Sequence, residues 1–341
     1  MDPINERKLA HLRIIESDPD SDRRRHYFDA IRLKHRALPE LNLAEVDPSI
    51  EFMGRRLSFP LLISSMTGGD HEILRRINRN LAIAAEKAGV AMGVGSQRVL
   101  FSNPAARASF EIRPHAPTTL LLANLGAVQL NRGFGIEECR EALAVSGADA
   151  LCLHLNPLQE AVQPRGDTDF AGLAEKIGGI VRALGRPVVV KEVGAGISRE
   201  DAELLLRAGV RYVDVAGAGG TSWSRVEHHS LAESEDDPLG LVFQDWGIPT
   251  PDALRALNPC RDRLTLIASG GLRNGIDLVK ALALGASLCG MAAPFLRPAM
   301  ESAEAVGMLL ARLKREFTTA LFLLGIRRAA DLVGNESVLR G

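Results

Sequence analysis

The sequence predicts an α/β fold, a (β/α)8 TIM barrel with an N-terminal arm closing over the C-terminal face, and three observations carry that prediction. First, eight short runs rich in Val, Ile, Leu and Ala start near Leu61, Val90, Thr119, Asp149, Val188, Tyr212, Leu264 and Ser287. Second, each run ends in a Gly-rich or polar peptide, and a helix-like stretch usually follows. Third, several of these peptides carry groups suited to chemistry: Ser65-Met66-Thr67-Gly68-Gly69, Ser96-Gln97-Arg98, Asn124, His154-Leu155-Asn156, Gln159-Glu160, Lys191, Gly219-Gly220-Thr221 and Gly270-Gly271. Chemistry recurring at the carboxyl ends of strands marks a barrel whose strand-to-helix loops build one site. An open doubly wound sheet would confine its site to a switch point, so eight consecutive units favour closure. The length of 341 residues suits one barrel of roughly 250 residues plus an arm, with the arm at 1–60 and the barrel at 61–341.

In chain order, the arm opens with Arg7, Lys8, His11 and Arg13, and a second basic cluster follows at Arg23-Arg24-Arg25-His26. Arg7, Lys8 and His11 at i, i+1 and i+4 converge on one ligand if their segment is helical. The cluster at 23–26 reads as a solvated, partly mobile stretch. From Leu61 onward strand and helix patterns alternate, as a parallel sheet requires. Gly89, Gly147 and Gly285 terminate helices at 71–88, 136–146 and 276–284. Ser198 and Asp201 form a capping box, Gly209 ends that helix, and Thr250-Pro251 opens another. The spacing widens between the sixth and seventh strands, where 222–263 form an excursion containing Trp223, Glu227 and Asp236-Asp237. After the seventh strand, Gly270 to Gly275 leads into a helix at Ile276, and the eighth runs into Gly290-Met291-Ala292-Ala293. A plain turn explains such a glycine loop, but loops seven and eight of barrels commonly bind phosphate, with a helix start supplying free N–H groups.

Composition excludes several classes. A net charge of −1 gives no bias toward nucleic acid or an anionic membrane. The four cysteines, Cys139, Cys152, Cys260 and Cys289, form no Cys-x-x-Cys pair, which argues against a disulfide framework or zinc site and for a reducing, cytoplasmic setting. Met1–Ala10 lacks an apolar signal core. The longest uncharged stretch, Ala281 to Leu296, is too short and too broken for a membrane span.

Taken together, the peptides resemble the type 2, FMN-dependent isopentenyl diphosphate isomerases. The matching segments are Arg7-Lys8-x-x-His11, Met66-Thr67-Gly68-Gly69, Gly95-Ser96-Gln97-Arg98, Asn124-Leu125-Gly126 and His154-Leu155-Asn156-Pro157-Leu158-Gln159-Glu160. They continue with Lys191-Glu192-Val193-Gly194, Gly217 to Trp223, Asp245-Trp246-Gly247-Ile248-Pro249 and Ser269-Gly270-Gly271. The resemblance covers nearly the whole chain in order. It implies a flavin across the top of the barrel, contacted by Ser65, Met66 and Thr67, with Ser96, Asn124 and Lys191 around its polar edge. Thr221, Gly270, Gly271, Arg273, Ala292 and Ala293 would hold its phosphate tail. Substrate diphosphate would be gripped by Arg7, Lys8, His11, Ser96, Arg98, His154 and Asn156, with Gln159 and Trp223 near the hydrocarbon and Glu160 on Mg²⁺. The resemblance also implies NADPH or NADH as priming reductant and a homotetramer or homo-octamer.

The chemistry asks for such residues. Moving a terminal double bond inward adds a proton at one carbon and removes one from another, and no ordinary side chain is acid enough unaided. A reduced flavin supplies a proton and negative charge, and one charge pair at about 4 Å with an effective dielectric of about 20 is worth about 4 kcal/mol. Gln159, Lys191 and His154 are the candidate catalytic groups, with Lys191 favouring the anionic reduced flavin. Glu160 beside a diphosphate demands an intervening cation. The plain alternatives are a Lys191 paired with a carboxylate such as Glu192, an exposed Glu160 at a helix start and a core His154. Three rival functions suit these residues less well. An FMN-dependent 2-hydroxy acid oxidase needs a His base with Arg at a late strand end, and His228-His229 lack that setting. An enzyme like inosine monophosphate dehydrogenase needs a cysteine after the sixth strand. A non-catalytic phosphate-binding barrel leaves Gln159, Glu160 and the arm's cations without purpose.

Overall fold

The computed structural model describes residues 3–230 and 237–340. Most of the excursion tip at 232–238, including Asp236, lies outside the described residues. Eight parallel strands close into a barrel in sequence order: β1 (Leu61–Ile63), β2 (Ala91–Gly93), β3 (Leu121–Gly126), β4 (Ala150–His154), β5 (Val188–Lys191), β6 (Tyr212–Asp214), β7 (Thr265–Ser269) and β8 (Leu288–Met291). β8 returns to β1 with Gly290 opposite Leu62, which completes the ring. Alternation of side chains along each strand decides the two faces. Leu62, Ala91, Leu122, Ala150, Val189, Ile267 and Leu288 fill the barrel interior. Leu61, Ile63, Leu151, Leu153, Val188 and Val190 belong to the outer layer packed under the helices.

The helices are α1 (Pro3–Ser17), α2 (Glu72–Ala88), α3 (Ile136–Ser146), α4 (Pro157–Val162), α5 (Leu173–Ala183) and α6 (Arg199–Arg207). Beyond them come α7 (Trp223–His229), α8 (Leu239–Val242), α9 (Thr250–Leu257), α10 (Gly275–Ala283), α11 (Ala293–Glu301) and α12 (Ala303–Leu324). Their ends follow the local signals: Gly89 and Gly147 are left-handed caps, Ser198 and Asp201 form the capping box of α6, and Pro251 sits in the first turn of α9. One unit departs from the alternation. Between β2 and β3 only 3-10 turns occur, at Gln97–Phe101, Pro104–Ser109 and Arg113–His115, because Pro104, Pro114 and Pro117 interrupt any longer helix.

The segment 1–60, expected as a single lid, divides in two. Residues 3–28 lie over the carboxyl ends of the strands, where Lys8, His11, Leu12 and Ile15 line the cleft and Arg23 N–H bonds Gly220. Residues 32–57 instead run down the outside to the opposite mouth. Arg32–Leu33 pairs with Leu339–Arg340, and a hairpin of Ile50–Phe52 with Arg55–Leu57 buries Ile50, Phe52 and Leu57 against the interior strand residues. That apolar triplet plugs the open end of the barrel. The basic cluster at 23–26 is also not uniformly solvated: Arg23 is buried and His26 half-buried, while Arg24 and Arg25 are exposed.

Candidate active site

A cleft opens at the carboxyl ends of the strands and has two lobes of opposite character. The first, about 990 Å³, is lined mainly by apolar groups and glycine backbone: Ser65, Met66 and Thr67 after β1, Thr221 after β6, Gly270, Gly271 and Arg273 after β7, and Ala292-Ala293 after β8. The second, about 970 Å³, is polar and carries Arg7, Ser96, Arg98, Asn124, His154, Asn156, Gln159 and Glu160. Lys8, His11, Ser65, Met66, Lys191, Val193 and Trp223 line both. Every residue to which the sequence assigned a flavin, substrate, metal or catalytic role borders this cleft. Ser96 and Asn124, expected beside the flavin, border the polar lobe instead.

The glycine loop after β7 has a double cause. Gly270 and Gly271 have φ of +92° and +85°, and a Cβ on Gly270 would stand 2.1 Å from the Gly217 carbonyl oxygen. Only glycine fits this close approach. The expected use of the α10 start is corrected, because this chain's own side chains occupy it. Gly275 N–H donates to Glu316, Ile276 and Asp277 N–H to Asn274, and Arg273 N–H to Asp277. Among the described residues, the N–H groups of Gly271, Leu272 and Ala293 have no such partner. The start of α11, at Ala292-Ala293, has no side-chain cap and borders the first lobe. A phosphate at this end fits those donors, and the buried Ser64 Oγ, also without a partner, adds a polar contact on the lobe wall.

On α1 the spacing works as expected: Arg7, Lys8 and His11 all face the polar lobe. Lys8 Nζ donates to the carbonyls of Gly68 and Ser96, the latter at 2.9 Å, and lies 5.6 Å over the Phe110 ring. One ammonium thus ties the arm to the loops after β1 and β2. His11 stands edge-on to Trp223 at 5.4 Å, with Nε2 3.3 Å from Glu227 Oε1.

Glu227 is the residue that sequence reading left without a role. It is buried on α7, and Gln159 Nε2 donates to its Oε1 at 2.6 Å. Burial pushes its carboxyl up, but the His11 contact, the Gln159 hydrogen bond and the nearby Arg7 outweigh that and hold it below the ordinary carboxylate range. The signal was its place four residues after Trp223, which puts both on one face of α7. Gln159 is hydrogen-bonded to Glu227 and His11 approaches the same carboxylate oxygen, so Glu227 lies directly behind two residues that line the polar lobe.

Glu160 is buried, which removes its reading as an exposed helix-start residue. Asn156 Nδ2 donates to its Oε1 at 2.8 Å, and Asp167 N–H to its Oε2 at 2.6 Å. Nearby acceptors Asn156 Oδ1 and Gln163 Oε1 are buried without partners. No group of three His, Cys, Asp or Glu side chains able to hold a metal occurs among the described residues. The oxygen donors therefore fit a Mg²⁺ whose shell is completed by phosphate oxygens and water. Asp167, also missed, clamps Arg98 at 2.8 Å, Arg132 at 2.8 Å and Gln129 at 3.1 Å. Burial raises its carboxyl, yet Gln129 and the two guanidinium groups bring it below the usual range.

His154 Nδ1 meets Asn124 Oδ1 at 2.8 Å, while Asn124 Nδ2 donates to Val94 O at 3.1 Å. That pattern sets Nδ1 as the donor nitrogen. Burial, then the Lys191 and Lys8 charges, push the His154 pKa down to about 3, so the ring is neutral. Lys191 Nζ donates to the Glu192 carbonyl oxygen at 2.5 Å. The Glu192 carboxylate turns elsewhere, accepting N–H groups from Val193, Gly194, Ala195 and Gly196. Lys191 is thus not neutralised by that carboxylate. Burial pushes Glu192 and Asp214 up despite their hydrogen bonds.

His228 and His229, which an oxidase reading would need at a strand end, border neither lobe. His228 Nδ1 meets the Asp237 carbonyl and His229 lies 3.3 Å from Asp18. All four cysteines are buried and free, and burial raises Cys139 and Cys152 to about 12. Cys139 and Cys152 are therefore protonated, and not nucleophiles, at neutral pH.

Closed barrel and two-lobed cleft define the class of (β/α)8 proteins with a small-molecule site at the carboxyl ends of the strands. The family model described as FMN-dependent dehydrogenase matches residues 16–113 and 139–340. A flavocytochrome b2 structure with sulfite bound superposes with a TM-score of 0.69 at 18% identity, covering 97% of this chain and 82% of that one, and shows the shared fold. The isopentenyl-diphosphate delta-isomerase of Paracoccus zeaxanthinifaciens is 57% identical over 98% of this chain and 97% of its own length. That of Hydrogenovibrio crunogenus is 51% identical over 99% and 98%. The chain belongs to the isopentenyl-diphosphate delta-isomerase family, within the FMN-dependent dehydrogenases.

Proposed function

We propose that the cleft interconverts isopentenyl and dimethylallyl diphosphate by a 1,3-allylic proton shift, with FMN in the apolar lobe and the diphosphate in the polar one. The observation that carries this reading is the contact between the lobes. An apolar chamber meets a cation-lined one along His11, Met66, Lys191 and Trp223, with Gln159 on the polar side and Glu227 behind it. Reduced FMN, when bound, supplies an electron-rich ring and an exchangeable proton without net redox change.

The chain's own residues do the rest. Arg7, Lys8, Ser96, Arg98, His154 and Asn156 would surround the diphosphate, and Glu160 would hold a Mg²⁺ that offsets its charge. Neutral His154 gains a proton more easily as the diphosphate arrives, because an adjacent anion opposes the burial that depresses it. Glu227, ionised, is the group suited to accept the proton that leaves the allylic carbon, with Gln159 between it and the polar lobe. Lys191 stabilises negative charge at the flavin edge. Ser65, Met66 and Thr67 support the ring, and Thr221 with the loops of β7 and β8 holds the phosphate tail. The α1 arm excludes water, which would otherwise capture a tertiary carbocation as an alcohol. NADPH or NADH serves only to prime the flavin, and the active form is a cytoplasmic homo-oligomer.

The decisive assay is anaerobic conversion of isopentenyl diphosphate by the FMN- and Mg²⁺-supplemented protein after a single reduction. Dimethylallyl diphosphate formed with no further reductant consumed is the expected result. Product formation coupled one-for-one to reductant loss would refute the isomerase.

A further inference from the structure

Arg23 lies far from the barrel in sequence and is only 5% exposed. Its guanidinium donates to three main-chain carbonyls: Nε to Gln244 at 2.8 Å, Nη1 to Gly194 at 2.9 Å and Nη2 to Trp246 at 3.2 Å. Its own N–H donates to the Gly220 carbonyl at 3.1 Å. The neighbours act alike. Ser222 N–H donates to Ser21 O at 2.8 Å, His26 Nδ1 meets Gly219 O at 2.9 Å, and Asp22 pairs with Arg273. Residues 21–26 therefore run behind the loops after β5, β6 and β7. Gly194, Gly220 and Arg273, one from each of those loops, border the apolar lobe.

We infer that Arg23 is a positioning residue for the flavin site: it holds the β5 and β6 loops at the separation that the cofactor requires. The physical reason is satisfaction of acceptors. A buried guanidinium is tolerated only when its donors are used, and carbonyls that lose such a donor rearrange toward water or other partners. The β5 loop is gripped from both sides, its N–H groups by the Glu192 carboxylate and its Gly194 carbonyl by Arg23. Removing one grip lets the loop move. The arm thus has two tasks, with α1 serving the polar lobe and residues 21–26 serving the apolar one. The inference rests on the flavin reading of that lobe.

The test measures the FMN dissociation constant and the melting temperature of the FMN-free protein for full-length wild type, Arg23→Met, Arg23→Lys and Arg24→Met. Arg24 is an exposed neighbour whose side chain pairs only locally with Asp20. Arg23→Met is expected to weaken FMN binding by about tenfold or more, Arg23→Lys by less, and Arg24→Met not at all. An FMN affinity unchanged in Arg23→Met, with only the melting temperature lowered, assigns a purely structural role and overturns the inference. Equal weakening in Arg24→Met overturns it too, since the effect is then general charge. If Arg23→Met does not fold, Arg23→Lys and His26→Ala decide in the same way, because the first loosens the three-carbonyl grip and the second removes a separate contact of the same segment with the β6 loop. Wild type that fails to bind FMN at all defeats the flavin reading itself, a result distinguishable from the others.

Discussion

Glu227→Gln is the substitution that probes the carboxylate behind the polar lobe most directly. It preserves shape and leaves Gln159 Nε2 an oxygen to bond, but removes the charge that Gln159 meets at 2.6 Å and His11 at 3.3 Å. The loss of one charge-assisted hydrogen bond at a buried site amounts to about 1.5–3 kcal/mol. If Glu227 only orients Gln159, kcat falls by roughly tenfold to a hundredfold. If it moves the proton, the loss is roughly 10²–10⁴-fold. We expect the larger range, with KM for the Mg²⁺-diphosphate substrate changed by less than about threefold, since the proposed diphosphate grip does not include Glu227. Stability gives a second, activity-independent readout. The folded Glu227 pKa lies below its unfolded value, so its contribution is fully present above the unfolded pKa near 4.5 and disappears as pH falls through the folded pKa. Glu227→Gln should therefore be less stable than wild type at pH 7 and converge with it in strong acid. The assays are anaerobic turnover with reduced FMN and thermal unfolding at a series of pH values. A kcat loss below about a hundredfold, or a stability gap that persists unchanged into acid, would refute the reasoning.

Four further outcomes follow from the same geometry. Lys191→Met should leave a flavin that is harder to reduce, read by dye equilibration under nitrogen, and an unchanged potential would remove the role given to Lys191. Glu160→Gln should raise the Mg²⁺ concentration needed for half-maximal turnover by about tenfold or more, and chelation of Mg²⁺ should abolish wild-type activity; a Mg²⁺ dependence identical to wild type would place the metal elsewhere. His154→Asn tests the buried neutral imidazole. With a folded pKa of about 3 against an ordinary 6.5, the unfolded chain binds more protons between these values, so wild type loses stability as pH drops below about 6.5. The variant should lose that part of the pH dependence, and superimposable melting profiles would count against it. Removal of residues 1–12 should abolish turnover while FMN binding largely survives, and retained turnover would show that the arm is no lid.

The sequence by itself determined the barrel and most of its chemistry. Short, continuously apolar runs such as Val188-Val189-Val190 suit strands buried on both faces, and their polar ends meet at one site when eight of them close. Left-handed Gly89 and Gly147 and the Ser198–Asp201 box mark helix ends through interactions a few residues long, which is why they are legible locally. Contacts between distant segments are a different matter. Nothing local distinguishes buried Arg23 from exposed Arg24, because the difference lies in three carbonyls about 170 to 220 positions away. The hairpin at 50–57 reads as part of the arm until the barrel exists for it to plug. Glu227 becomes a site residue only when α7 swings against α1 and α4, and the α10 start is lost to phosphate only because α12 brings Glu316 to it. Local free energies are written into neighbouring residues, whereas burial and charge pairing depend on which surfaces the closed barrel brings together.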